Sequence, residues 1–105
     1  MATFYTNAGK AITTNRIKGA GTEPNNVAWG TGAGAASASS TTLSTEASEA
    51  RVAGTSTQQT TTVTNDTYRV VATLTANGTK TITNAGCFDA ATGGKPLQVT
   101  DTAYM

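Results

Sequence analysis

The sequence predicts a mainly β fold: a compact antiparallel β-sandwich or barrel-like domain with a C-terminal β-meander, a short helical turn and a Gly/Ala/Ser-rich loop. Three observations predict it. Threonine supplies 24 of the 105 residues, and its β-branched side chain favours the half-buried surface of a pleated strand. From Tyr68 to Leu74, the residues Tyr68, Val70, Ala72 and Leu74 alternate with Arg69, Val71 and Thr73, the period of two that a strand imposes. Turn-forming pairs, Asn65-Asp66, Asn77-Gly78 and Gly93-Gly94, punctuate the C-terminal half.

A chain of this length forms one domain, residues 1–105. Taken in order, the first twenty residues read as a strand or an extended N-terminal arm. Val27 to Trp29 reads as a short strand. Residues 30–40 contain only Gly, Ala, Ser and Thr, too little side chain to repay their ordering entropy alone, so they form a flexible loop or one ordered by a partner. Leu43, Ala47 and Ala50 recur at helical spacing and predict a helical turn or two ending near Arg51. Residues 58–64 read as a strand. The next expected element is a hairpin, residues 68–87, turning at Asn77-Gly78 with Leu74 facing Thr81 and Thr73 facing Ile82. Leu97 to Val99 begins a final strand after a tight turn at Gly93-Gly94. The meander strands would share one antiparallel sheet.

Composition narrows function. Charged residues are 12% of the chain and the formal net charge is +1, with no basic run to neutralise phosphates, so nucleic acid is not an expected partner. There is one cysteine, Cys87, and no histidine. A lone thiol builds no internal disulfide framework, and metal sites based on His or paired Cys have no ligands here. No basic stretch followed by an apolar run opens the sequence, and no stretch approaches membrane-spanning length. The chain is therefore expected to be made in a bacterial cytoplasm, without a membrane partner. Apolar residues make up 37%, below the ~45–50% of an ordinary globular domain. Such a thin core is expected to gain from association, so a homo-oligomer is anticipated.

No constellation points to catalysis. Gly30-Thr31-Gly32-Ala33-Gly34 lacks the Gly-Lys-Ser/Thr ending of a phosphate loop and the third spaced glycine of a dinucleotide site. Glu46 and Glu49 read as an ordinary solvated helical face, and Asp89 as a turn residue accepting backbone hydrogen bonds. Cys87 and the serines have no histidine to activate them. The expectation is a non-enzyme with no cofactor and no metal site. The matches to the glycosylation pattern at Asn65 and Asn77 are read as chance, the second serving its turn.

Large aromatics anchor protein interfaces, and this chain has six. The candidate partner interface comprises Phe4, Tyr5, Trp29, Tyr68, Arg69 (adjoining Tyr68) and Tyr104; for Trp29, Tyr68 and Tyr5 the alternative reading is core.

The run Ile82-Thr83-Asn84-Ala85-Gly86-Cys87-Phe88-Asp89-Ala90-Ala91-Thr92-Gly93-Gly94 resembles a recurring ending of small bacteriophage virion structural proteins. Those proteins also tend to carry a Gly-Thr-Gly segment after an apolar strand, here Val27 to Gly32, and a Leu-x-x-Glu-x-x-x-x-Arg stretch, here Leu43, Glu46 and Arg51. The three occur in the same order, and Cys87 stands where the pattern usually has an aliphatic residue. The resemblance implies a phage structural protein with a β-sandwich or barrel-like domain, tail-, fibre- or capsid-associated. The leading expectation is a capsid decoration (cement) protein of the virion, bound to the major capsid protein of the assembled head. The alternative is a tail, baseplate or fibre-attachment component, and a third reading is a host-surface glycan-binding module using Trp29.

Overall fold

In the computed structural model, which describes residues 3–101, a five-stranded antiparallel sheet carries the core and a separate two-stranded hairpin stands over one of its faces. The elements run β1 (Thr3–Tyr5), α1 (Asn7–Lys18), β2 (Asn26–Gly30), β3 (Val52–Ala53), β4 (Thr55–Gln59), β5 (Thr67–Val71), β6 (Asn84–Phe88) and β7 (Pro96–Asp101). The large sheet is ordered β1-β7-β6-β2-β3, and β4 pairs with β5. The mainly β, antiparallel expectation holds, with one short helix added.

Strand β6 explains the layout. Asn84, Gly86 and Phe88 point to one face and are buried, while Ala85 and Cys87 point to the other and are half-buried. Its two edges are both taken, by β2 and by β7. The first face holds the core: Phe88, fully buried, packs with Ala28, Val99 and Leu43, and Phe4 and Ala36 close around them.

The 68–87 hairpin does not form. β5 pairs instead with β4, Tyr68 opposite Gln58 and Val70 opposite Ser56, and residues 72–83 contain no strand. Two features decide against the expected pairing, one local and one distant in sequence. Asp66 accepts the backbone N–H groups of Thr61, Thr62 and Val63, closing a turn just before β5 and committing it to the preceding strand. The Asn77 N–H, which the Asn-Gly turn would leave at its tip, donates to Glu49. The strand expected at 58–64 lies earlier, at Thr55–Gln59. The C-terminal meander is consequently split between the two sheets.

The first twenty residues are not an arm. After β1 they form α1, with Thr6 as N-cap accepting from the Gly9 N–H at 2.8 Å and Gly19 as left-handed C-cap. Only Gly9 and Ile12 of this helix are buried, so it carries no apolar stripe for sequence periodicity to detect. Gly9 is there because the helix backbone lies directly on the Leu97 carbonyl, where a Cβ has no room.

The helical turn expected up to Arg51 is also absent. Thr45 has φ 49°, outside the helical region, and its carbonyl accepts from the Thr31 N–H. This segment serves as a seam for the Gly-rich stretch. Gly32 N–H donates to the Ser44 carbonyl, Gly34 N–H to Ser44 Oγ, and Ala36 N–H to Asp101. Gly30 permits the approach: a Cβ there would sit 2.6 Å from the Ser44 carbonyl oxygen. The stretch expected as a loop, residues 30–40, is thus tied by these bonds to its own sheet and to the Ser44–Thr45 segment.

Candidate functional site: an open groove over the sheet

The second face of the five-stranded sheet is only partly covered. Tyr5, Val27, Ala85, Cys87, Gln98 and Thr100 line it, with Leu97 added by the irregularity in the β6–β7 register. The inward face of the hairpin, with Tyr68 and Val70, stands opposite and leaves a groove of about 540 Å³. The expected alternation was sound here, since Tyr68 and Val70 do share one face. A second, wider groove of about 970 Å³ runs between α1 and the hairpin, bordered by Ile17, Glu23, Ser56, Thr57, Gln58 and Tyr68.

One carbonyl ties the hairpin to the sheet. Pro24 O accepts the Tyr68 hydroxyl at 3.1 Å and the Cys87 thiol at 2.8 Å. Tyr68 also donates to Glu23 at 2.9 Å. Hydrogen bonds from Ser56 and then Tyr68 hold the Glu23 carboxyl below its ordinary range, while burial, and then Glu23, push the tyrosine hydroxyl well above its own. Burial, with a smaller contribution from the Glu23 charge, pushes the Cys87 thiol up to about 11. Near neutral pH that thiol is protonated, which suits a hydrogen-bond donor and not a nucleophile.

The sequence-predicted interface residues divide. Tyr5 and Tyr68, each more than two-fifths exposed, flank the first groove, and Tyr5 donates its hydroxyl to Thr13 at 2.7 Å. Phe4 lies on the opposite face, packed on the core. Trp29 is half-buried, its indole N–H without a hydrogen-bond partner among the described residues. Arg69 is exposed on β5, opposite Thr57. Tyr104 lies outside the described residues. Val27, Val70, Cys87 and Leu97 were missed as site residues; only the alternation in β5 signalled any of them.

Of the residues that carry the resemblance, Val27, Ala85 and Cys87 line the groove, and the others build framework. The Arg51 guanidinium grips Glu46 in a fork (2.8 and 2.9 Å), donates to the carbonyls of Ala90 (2.9 Å) and Gly93 (2.7 Å), and stacks 3.8 Å above the Phe88 ring. Asn84 pairs its amide with both backbone groups of Ser44. Asp89 accepts the Lys95 N–H across the turn at Gly93 and Gly94, both at positive φ, as expected. Glu46 and Glu49, expected on the solvated face of a helical turn, lie on no helix and are each paired: Glu46, which is exposed, holds Arg51, and Glu49 holds Lys80 at 2.7 Å together with the Asn77 N–H.

Among the described residues no group of three or more His, Cys, Asp or Glu is placed to hold a metal ion, and no helix is long and apolar enough to cross a membrane. The chain matches no protein-family model, no curated protein and no solved structure.

Proposed function

We propose that this chain is a non-catalytic structural protein of a bacteriophage virion, a capsid decoration protein that binds the major capsid protein of the assembled head. The observation that carries the reading is the contrast between a face closed by its own loops and a groove left open between Tyr5, Tyr68, Val70 and Leu97. Such a groove has apolar walls and hydroxyl-tipped aromatics at its margin, the chemistry of an interface anchor. The carboxylates support a structural role: Glu23, Glu46, Glu49, Asp66, Asp89 and Asp101 each accept a hydrogen bond that positions a loop, a hairpin or a turn. The motif resemblance supplies the phage assignment. Binding only the assembled shell would stabilise that shell by mass action.

The test is a copy number on heads and tails separated from disrupted particles. Hundreds of copies travelling with heads, and loss of head binding on Val70→Lys with the fold intact, are the expected results. A few copies travelling with tails would place the protein in the tail or baseplate and end the cement reading.

A further inference from the structure

The edges of the two sheets are not equally protected. An exposed strand edge presents unpaired N–H and C=O groups to any other chain, and natural proteins blunt it with short strands, charges, proline or bulges. β1 and β3, the edges of the large sheet, have three and two residues. β5 carries Arg69. β4, Thr55-Ser56-Thr57-Gln58-Gln59, has none of these devices: five residues, no charge, no proline, and an unbroken register with β5. Among the described residues its outer edge makes no backbone hydrogen bond, the ladder to β5 being its only one.

We infer that β4 pairs antiparallel with β4 of a second copy of this chain, about a two-fold axis at Thr57, giving a four-stranded sheet β5-β4-β4-β5 across the dimer. The strand is self-complementary in that register. Thr57 faces the partner's Thr57, Ser56 the partner's Gln58, and Thr55 the partner's Gln59, all uncharged pairs able to hydrogen-bond across the strands. The corresponding pairing of two β5 strands about their middle would set Arg69 against the partner's Arg69, a like-charge contact that disfavours it. The charge pattern thus selects β4 and selects a copy of itself.

Two further observations fit the second copy. The wider groove is bordered by the inward Ser56 and Gln58 and also by the outward Thr57, so it reaches the strand edge. The same groove is bordered by Ile17 of α1, which is 82% exposed, so a strand added at that edge has an apolar side chain along its path. A two-stranded hairpin is also marginal by itself, and a third strand is what usually stabilises one. This one is tied to the rest of the molecule mainly through Gly54, Ser56 and Tyr68. An isologous contact of this kind closes on itself as a dimer. It stands apart from the shell-binding reading, since a dimer in solution neither needs nor excludes a capsid.

The test uses the full chain in solution. Sedimentation velocity over a concentration series should show a dimer, and Thr57→Lys should abolish it while circular dichroism stays unchanged, because Thr57 is exposed. In a Cys87→Ala background, Thr57→Cys should form a disulfide-linked dimer under mild oxidation, facing Cα atoms in such a ladder lying about 4.5–5.5 Å apart. Thr55→Cys in that background should not, because it lies roughly 13 Å along the strand from the partner's Thr55. A monomer at every concentration, a dimer indifferent to Thr57→Lys, or equal cross-linking at both positions would each overturn the pairing.

Discussion

The two faces of the five-stranded sheet share the same strands and are closed by opposite means. On the Phe88 face, small residues let loop backbone come down onto the sheet, and each approach is fixed by a polar side chain: Asn84 on Ser44, Asp101 on Ala36, Arg51 on Ala90 and Gly93. On the Cys87 face the cover is a hairpin held by a few polar ties at one margin, from Tyr68 to Glu23 and Pro24, from Ser56 to Glu23 and from Gly54 to Asn25. A thin core can therefore close one side of a sheet well when its loops are poor in side chains and rich in hydroxyls. What remains on the other side is room for something else.

The largest effect that separates the faces belongs to Phe88→Ala. It removes the centre of the closed face and the ring beneath Arg51, and should cost about 3–5 kcal/mol in denaturant unfolding. A loss below about 1 kcal/mol would mean that this face is not the core. Next comes Arg51→Ala, expected to cost about 2–3 kcal/mol, since the side chain is 7% exposed and its removal leaves two turn carbonyls without their donor. Arg51→Lys should recover less than half of that, because an ammonium cannot form the fork or stack on the ring.

On the open face, Tyr68→Phe should cost only about 1 kcal/mol, yet it should raise the alkylation rate of Cys87 near pH 8 by loosening the hairpin above it. An unchanged rate would show that the hairpin does not shield the thiol. The smallest effect concerns acid. The partnership with Lys80, and then the Asn77 N–H, hold the Glu49 carboxyl down at about 2 against an ordinary 4.5. A carboxyl lowered on folding contributes stability that is complete above its unfolded value and lost as pH falls through the folded one. A small drop in thermal stability is therefore expected between pH 4.5 and 2, and Lys80→Met should remove most of it.

What could be seen in the sequence was whatever rests on short-range pattern. The strands at Val27 to Trp29 and Leu97 to Val99, the Gly93-Gly94 turn and the shared face of Tyr68 and Val70 follow from alternation and turn chemistry. What could not be seen was decided by distant partners. Helix α1 carries no apolar stripe, because it docks through a glycine and one isoleucine. The Asn77-Gly78 signal yielded to a carboxylate 28 residues away. The helical spacing before Arg51 was a coincidence overruled by backbone pairing with Thr31 and Gly32. The groove needed both sheets before its lining residues could be named.

Thr6 has a consequence for the order in which the chain folds. Its hydroxyl caps α1 and donates to the Pro96 carbonyl, 90 residues further on, while β1 beside it pairs with β7. Twelve residues that include two threonines and two asparagines make a poor helix in isolation. Helix α1 is thus among the last elements to consolidate, waiting for β7 to supply its floor. Its helicity should appear in the slow phase of refolding, as expected where closure joins distant parts of a chain.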